Sequence, residues 1–479
     1  MTRESTICVS AASASGLLIA ASGSSAASVV AAAAGLAAYL WFAAVSVLRP
    51  IVFVAGFLLT LAVLPPFYFP QFAAPVFIPL FLIPIGLAVV IVRFQQMRLC
   101  TDSVAKGLAA FAFAVAFSIP FAWLLSGSEA GVASLARWLL LAQAPLAYCM
   151  IRGAWKMGAG SERRVLQLLF ISAGASAAYG ILDFIRPLSP PHPAADQFIW
   201  LSSAVVRRAQ GVFYESSNFA NFCSFFLVAA SAGFLTRRPE TAGIPRWLLL
   251  VLIVVLGVAV LVAFSRSVWA SAAVGVAVAT SLLRWRPPPG PLPERGRWLV
   301  RSAVVLSMLA VPLLLLWRLS PELWDYFLSA RVGRLAGVFS DPNTATSGRF
   351  DTWRDLVEIM LSHPQYLVFG IGYKTLTTTR LFHQEMIADN GYLSLLVETG
   401  VFGLGGFVMM SGAILKTFLK LARSGAETPA FWAAVVFAIW CGELVLLLAA
   451  DAYTYWRNMT IYAALMALTM NLSEHASQP

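Results

Sequence analysis

The sequence is dominated by apolar runs of about 20 residues, the length that an α-helix needs to cross a bilayer. Hydrophobic residues make up 59% of the 479 positions and charged residues only 11%, whereas a soluble domain carries about 25% charged residues. Inside a bilayer every backbone polar group must be satisfied within the protein, which favours helices for runs of this length. The sequence therefore predicts an all-α polytopic membrane protein.

The apolar runs predict about 12–14 transmembrane helices. The first 27 residues are rich in Ala and Ser; we expect a retained helix there, although small residues near a cleavage point also fit a signal segment. The clearer runs predict helices at about 28–47, 50–66, 74–92, 105–124, 131–151, 164–185, 216–235, 246–264, 267–284, 299–318, 391–417, 429–449 and 456–473. Two longer polar segments, 186–215 and 319–390, interrupt the series. The chain is thus predicted to divide into an N-terminal bundle (1–318), a large loop (319–390) and C-terminal helices (391–479).

Lysine and arginine are concentrated in every second connection between the predicted helices. Basic residues mark the cytoplasmic side of a membrane protein. The opposite connections hold only Arg137, Arg266 and Arg457 among the short ones. Both long polar segments then face outward and the C-terminus lies inside.

Several classes of function are disfavoured by the pattern of charge and cysteine. The net charge of +11 does not indicate nucleic-acid binding, because the basic residues lie between apolar runs and not along one soluble face. The five cysteines show no metal or redox spacing, so we predict no metal site and no cofactor. The strong apolar runs hold few ionisable residues, and no internal repeat is evident, which argues against a transporter or flippase.

The first candidate site lies in the segment VVRRAQGVFYESSNF. Arg207 and Arg208 precede Gly211 and a helix that is entered at about Glu215–Asn218. Free backbone N–H groups at a helix start, beside guanidinium groups, suit a phosphate. The alternative is that these arginines only anchor the chain at the membrane interface.

Two more arginines occupy comparable outward positions. Ser265 and Arg266 lie at a turn on the side that is poor in positive charge, where an arginine needs a functional or anchoring reason. Arg349 stands near the start of a helix in SGRFDTWRDL and also suits a phosphate or a sugar. The alternative for Arg349 is a structural salt bridge with Asp351 or Asp355.

The end of the large loop supplies the candidates for proton transfer. His383, Glu385 and Asp389 are the side chains there that could act as a general base. Asn390 directly follows Asp389 and precedes an apolar run, which is typical of a helix N-cap.

These patches occur in an order that resembles the O-antigen ligase and polymerase superfamily. They are an Arg-x-x-Gly before a helix, a Ser-Arg between two helices, a Ser-Gly-Arg-x3-Trp, and a polar pair followed by Tyr-Leu and Glu-Thr-Gly-x2-Gly, spanning about residues 207–407. The resemblance implies a metal-independent glycosyltransferase of the bacterial inner membrane, with a GT-C-like architecture and a periplasmic site.

The resemblance also implies substrates and roles for individual residues. The donor would be a glycan on undecaprenyl diphosphate, and the acceptor would be lipid A–core for a ligase or a second lipid-linked repeat for a polymerase. Arginines that match Arg208 and Arg266 hold the diphosphate in the family, and a histidine before an asparagine deprotonates the acceptor hydroxyl. Arg207, Arg349 and Asn390 are expected to line the same substrate site.

The sequence departs from the family at the base. Asp389 stands where the family has its histidine, and His383 lies six residues earlier. This difference favours a polymerase of O-antigen or exopolysaccharide, with Asp389 or His383 as the base and a chain-length regulator as a further partner. A ligase, a flippase and a non-catalytic assembly partner remain the alternatives.

Overall fold

The computed structural model describes fifteen stretches of the chain. They are residues 26–66, 77–93, 100–155, 162–188, 198–203, 205–235, 244–284, 310, 313–314, 317–318, 320–333, 343, 348–379, 386–424 and 427–476. The predicted helix at 299–318 lies largely outside these residues, as does nearly all of the predicted helix before residue 28.

The described chain is almost wholly helical, which confirms the predicted all-α polytopic class. The helices are α1 (Ala26–Leu48), α2 (Pro50–Val63), α3 (Ile78–Phe81), α4 (Ile83–Val92), α5 (Ser103–Ala116), α6 (Ile119–Ser126), α7 (Ser128–Leu141), α8 (Gln143–Trp155), α9 (Glu162–Ile185), α10 (Ser216–Leu235), α11 (Arg246–Val262), α12 (Arg266–Arg284), α13 (Pro321–Tyr326), α14 (Arg349–Ser362), α15 (Pro364–Phe369), α16 (Gly391–Ala422), α17 (Glu427–Leu446) and α18 (Trp456–Ala476). A π-helical turn (Phe327–Gly333) continues α13, and a 3₁₀ turn (Ala452–Thr454) precedes α18. Seven helical stretches in the described ranges are long and apolar enough to cross a membrane.

Local sequence signals explain where several of these helices begin. Pro50 opens α2 and Pro364 opens α15, positions where the missing N–H of proline costs no hydrogen bond. Asp102 caps α5 by accepting a hydrogen bond from the backbone N–H of Ala105 at 2.9 Å, as short polar side chains do at helix starts. These signals make the helix starts predictable from the sequence.

Helix α10 lies at the centre of the bundle. It is buried along nearly its whole length and packs against α11 and α12, while α12 packs on α17, α5 on α16 and α8 on α18. A polar chain crosses this centre, because Asn221 of α10 donates to Glu443 of α17 at 2.6 Å and accepts from Asn458 of α18 at 2.7 Å. Buried polar groups of this kind hold neighbouring helices in one register.

The segment that precedes α10 carries a small hairpin. Strands β1 (Phe198–Trp200) and β2 (Val205–Arg207) pair antiparallel, with Phe198 opposite Arg207. Between the strands, the hydroxyls of Ser202 and Ser203 donate to the Glu322 carboxylate of α13 at 2.9 and 2.6 Å. The two long polar segments of the sequence therefore touch each other.

The connections on the opposite side of the bundle also contact one another. Arg93 donates to the carbonyl of Val47 at 3.0 Å, and the Glu162 carboxylate lies 3.2 Å from the ring of His475. All four residues belong to the face that is predicted to be cytoplasmic. The grouping agrees with the predicted alternation of connections, while the side of the membrane that each group faces stays a prediction.

Candidate active site

The connections that are predicted to face outward converge on the short segment between α17 and α18, residues 447–455, which we call the α17–α18 connection. The carbonyl of Leu447 accepts the backbone N–H of Gly391 at 2.7 Å, so the start of α16 is fixed against it. The carbonyl of Ala449 accepts from Arg349 Nη1 at 3.3 Å. Arg349, in the second half of the large loop, and Gly391, directly after the loop, are thus both hydrogen-bonded to this connection.

Arg349 and Asp389 form an ion pair at the start of α14. Asp389 Oδ2 lies 3.1 Å from Arg349 Nε and 3.0 Å from Nη2, and both side chains are partly exposed, by 32% and 45%. Oδ1 of Asp389 has no hydrogen-bond partner within the described part of the loop. The arginine therefore orients the carboxylate and leaves one oxygen open to the surface of the site.

Backbone geometry holds this ion pair in place. Asp389 has a left-handed backbone with φ of 46°, a conformation that costs free energy for a non-glycine residue and is concentrated at functional sites. Just before it, the carbonyl of Ala388 accepts a hydrogen bond from the indole of Trp353 at 2.6 Å. Arg354, and not Arg349, is the partner of Asp351 and Asp355, at 3.5 and 3.9 Å.

Asn390 acts as the N-cap of α16. Its side-chain oxygen accepts from the backbone N–H groups of Tyr392 and Leu393, both at 3.1 Å. This confirms the cap that the sequence predicts. Asn390 alone supplies the cap, and the neighbouring carboxylate of Asp389 takes no part in it.

Arg207, the last residue of β2, and Arg208, which follows it, have different surroundings. Arg207 is buried and its guanidinium lies 2.5 Å from the buried carboxylate of Asp183, in α9. Arg208 is partly exposed, and its Nε donates to the carbonyl of Ala263 at 2.9 Å, at the end of α11. Arg207 therefore ties the hairpin to α9, whereas Arg208 reaches the turn that leads into α12.

Arg266 stands at that same turn. It opens α12 and is partly exposed, three residues after the carbonyl that binds Arg208. The turn is tight, since Phe264 has a positive φ of 52°. The fold thus brings Arg208 and Arg266, which are 58 positions apart in the sequence, to one junction, on the face that is predicted to be outward.

A second ion pair lies on the other side of the α17–α18 connection. Lys374 Nζ is 2.7 Å from Asp451 Oδ2, and Ser394 donates to the second oxygen of the same carboxylate at 2.8 Å. Arg137 donates to the carbonyl of Lys374. Burial lowers the pKa of Lys374, but the charges of Asp451 and Glu398 outweigh it, so the pKa lies above its ordinary value and the side chain stays charged.

Glu215 lies among all these charges, directly before α10. Burial raises the pKa of its carboxyl, the charge of Arg208 opposes the rise, and Asp389 adds to it. Lys374 and Asp451 act on Glu215 in the same opposed way. The charges of Arg208, Asp389, Lys374 and Asp451 thus all contribute to the pKa of this one carboxyl.

Residues 248–408 match the family model described as O-antigen ligase. The resemblance to the O-antigen ligase and polymerase superfamily is confirmed. No curated protein matches the chain. The matched region runs from α11 into α16 and includes Arg266, Arg349, Asp389 and Asn390, whereas Arg207 and Arg208 lie before it.

The match supports a membrane enzyme of the O-antigen ligase or polymerase type, a glycosyltransferase-like class that handles lipid-linked glycans. The base that the resemblance implies is Asp389 or His383, and His383 falls outside the described residues. No cluster of three or more metal-ligating side chains occurs in the described ranges. The charged groups that surround the site there are those of arginine, lysine and carboxylates.

Three residues of the O-antigen ligase-like site were not singled out from the sequence. Glu215 was interpreted only as a helix entry, and Lys374 and Asp451 were given no role. A carboxylate in the short connection DAYTYW, which is predicted to face outward, and a lysine directly after FGIGY are the available signals. Their pairing spans 77 positions and depends on the tertiary fold.

Proposed function

We propose that this protein is an inner-membrane glycosyltransferase that polymerises undecaprenyl-diphosphate-linked oligosaccharide repeats on the periplasmic side. The observation that carries the proposal is the convergence of Arg208 and Arg266 at one junction, together with the Arg349–Asp389 ion pair that is held against the α17–α18 connection. Cations and an oriented carboxylate are what a transfer from a diphosphate requires.

The arginines take the donor diphosphate. As the bond between the sugar and the diphosphate breaks, negative charge develops on the leaving oxygen, and guanidinium groups stabilise it through forked hydrogen bonds. Arg208 and Arg266 fill this role, since both are partly exposed at the junction. Arg207, whose charge is matched by buried Asp183, positions the hairpin instead.

Asp389 takes the proton of the acceptor. The acceptor hydroxyl attacks the anomeric carbon, the carbon–oxygen bond to the diphosphate breaks, the proton moves to the carboxylate and the polyprenyl diphosphate leaves. Arg349 holds Oδ2 of Asp389 at 3.0 Å, so that Oδ1 faces the acceptor. The replacement of the family histidine by Asp389 supports a polymerase. The alternative is a ligase, the activity that the family description names, with lipid A–core as its acceptor.

The acceptor decides between the two activities. Purified protein that receives only the lipid-linked repeat should form a ladder of longer lipid-linked glycans. Formation of product only after lipid A–core is added would identify a ligase and refute the polymerase assignment. Absence of transfer to either acceptor would favour a flippase or an assembly partner.

Arginine variants test the diphosphate site. Arg208→Ala should lower the transfer rate by at least about 10²-fold, the cost of one donor to a developing charge, and Arg208→Lys should recover little, because an ammonium group lacks the fork. Arg246→Ala is the matched control, since that arginine is exposed at the opposite end of a membrane helix. Equal losses in the two alanine variants would contradict the assignment.

Orientation is tested in intact cells. A cysteine at Gly290, in a basic connection, should resist a membrane-impermeant thiol reagent, and a cysteine at Ser202 in the hairpin should react. The reverse labelling would place the site in the cytoplasm and rule out transfer on the periplasmic side.

A further inference from the structure

A groove of about 430 Å³ runs between α9 and α11 on the outside of the bundle, which we call the α9–α11 groove. Its lining comes from residues 167–178 of α9 and from residues 244–255, before and in α11. The two helices meet Arg207 and Arg208 at their opposite ends. The groove therefore lies away from the arginine junction, towards the face that is predicted to be cytoplasmic.

The lining of the α9–α11 groove suits a hydrocarbon chain. Among the described lining residues, Gln167 is the one polar side chain. Gly174, Ala175 and Ala178 form one wall, and exposed Val251 stands on the opposite rim. From Gln167 to Ala178 the helix rises about 16 Å, close to the thickness of one leaflet of the hydrocarbon core, about 15 Å. The groove thus has the depth of the acyl chains of one leaflet.

Two arginines stand at the end of the groove that holds Gln167. Arg163 and Arg164 lie one turn before Gln167 and are exposed. At about 100° per residue, they lie about 50° to either side of the middle of the groove-facing side of α9. Glu162 lies on the opposite side of the helix, where its carboxylate is 3.2 Å from the ring of His475. The charge at this end of the groove is therefore positive.

The helix starts add to this positive charge. Because Arg207 and Arg208 bridge the ends of α9 and α11, the starts of both helices lie together at the other side, where the positive ends of their dipoles favour an anion. The start of α11 has no side-chain cap, so its first N–H groups can bind a phosphate oxygen. Exposed Trp247 stands beside them, as aromatic residues do at the level of the lipid headgroups.

We propose that the α9–α11 groove binds an anionic glycerophospholipid of the adjacent leaflet. An acyl chain lies in the groove, and the phosphate of the headgroup contacts Arg163, Arg164 and the start of α11. Each basic side chain near the headgroup favours an anionic lipid over a zwitterionic one by about fivefold. The inference does not depend on the proposed transfer reaction, because the groove and its arginines lie away from Arg208.

Photolabelling in vesicles of phosphatidylcholine tests the choice of lipid. A benzophenone side chain at Val251 should label radioactive phosphatidylglycerol at least about fivefold more than radioactive phosphatidylcholine. Arg163→Gln combined with Arg164→Gln should remove this preference. Arg246→Gln is the matched control and should keep it, because this exposed arginine lies on the side of α11 opposite the groove.

Two outcomes of the labelling would overturn the inference. Equal labelling by the two phospholipids in the otherwise unaltered protein would show an ordinary annular lipid. Displacement of the label by undecaprenyl diphosphate, and not by unlabelled phosphatidylglycerol, would assign the groove to a polyprenyl lipid.

Thermal unfolding in detergent locates the bound lipid without the arginine variants. Phosphatidylglycerol should raise the melting temperature of the unaltered protein, since a ligand that binds only the folded state stabilises it. Inorganic phosphate should not, because it lacks the acyl chain. Ala175→Trp fills the groove and should abolish the rise, whereas Ala109→Trp, at an exposed alanine of α5, should keep it. A full rise in Ala175→Trp, or an equal rise with inorganic phosphate, would contradict the groove as the lipid site.

Discussion

The replacement of Asp389 by asparagine separates the chemical role of this carboxylate from its structural role. Asn390 caps α16 and Asp389 does not, so Asp389→Asn leaves the helix start intact. The left-handed backbone at position 389, with φ of 46°, is one that asparagine adopts readily. The variant therefore removes the ability to accept a proton and changes little of the local geometry.

The expected sizes of the two effects differ widely. Loss of a general base lowers the rate by about 10²–10⁴-fold, or about 3–5 kcal/mol in the barrier. The ion pair with Arg349 is partly exposed, and exposed pairs contribute about 0–1 kcal/mol to the free energy of unfolding. A large kinetic loss with a nearly unchanged melting temperature is thus the predicted signature.

The assay measures elongation of the lipid-linked repeat and thermal unfolding in the same detergent. Asp355→Asn is the matched control, because Asp355 lies in the same loop, has nearly the same exposure and pairs with Arg354 at 3.9 Å. It should keep the normal rate. A normal rate in Asp389→Asn would refute the role of Asp389, and loss of activity in His383→Ala alone would assign the base to His383.

Three further predictions follow from the contacts around the site. Asp451→Asn should lower the free energy of unfolding by about 2 kcal/mol, the scale of hydrogen bonds to charged groups, because it weakens the bond to Lys374 at 2.7 Å; an unchanged melting temperature would contradict this. Glu443→Gln should leave the free energy of unfolding nearly unchanged, whereas Glu443→Leu should lower it by about 1–3 kcal/mol. Only leucine leaves the buried amide of Asn221 without its acceptor. Equal stability of the two variants would contradict this prediction. The pKa of Glu215 is raised above 4.5 chiefly by burial, so the folded state binds this proton more tightly than the unfolded state, and stability should fall as pH rises through the raised pKa. Glu215→Gln should flatten that fall in melting temperature, and an unchanged slope would show that another group titrates.

The helices could be predicted from the sequence because their signal is local. An apolar run of bilayer length specifies a helix without knowledge of its neighbours, and the prediction at 216–235 coincides with α10 at Ser216–Leu235. The cap at Asn390 is equally local. The grouping of connections by face also needed only the positions of lysine and arginine.

The separate roles of Arg207 and Arg208 could not be predicted in this way. The sequence alone assigned both to one phosphate site, since the segment before α10 showed no clear strand pattern. Arg207 ends β2 and meets buried Asp183, whereas Arg208 follows the strand and meets the end of α11. Which of the two is buried depends on where α9 lies.

The α17–α18 connection links the two halves of the site, a role for which the carboxylate in DAYTYW is the one local sequence signal. Its carbonyls at Leu447 and Ala449 hold the start of α16 and Arg349, and Asp451 holds Lys374. Directly after it, Arg457 is buried and donates to the carbonyl of Val212 at 2.8 Å, in the segment that follows Arg208. The Asp389 side and the Arg208 side are thus fixed to one short stretch of chain, so a change in this stretch alters the distance between the proposed base and the proposed diphosphate site without touching either.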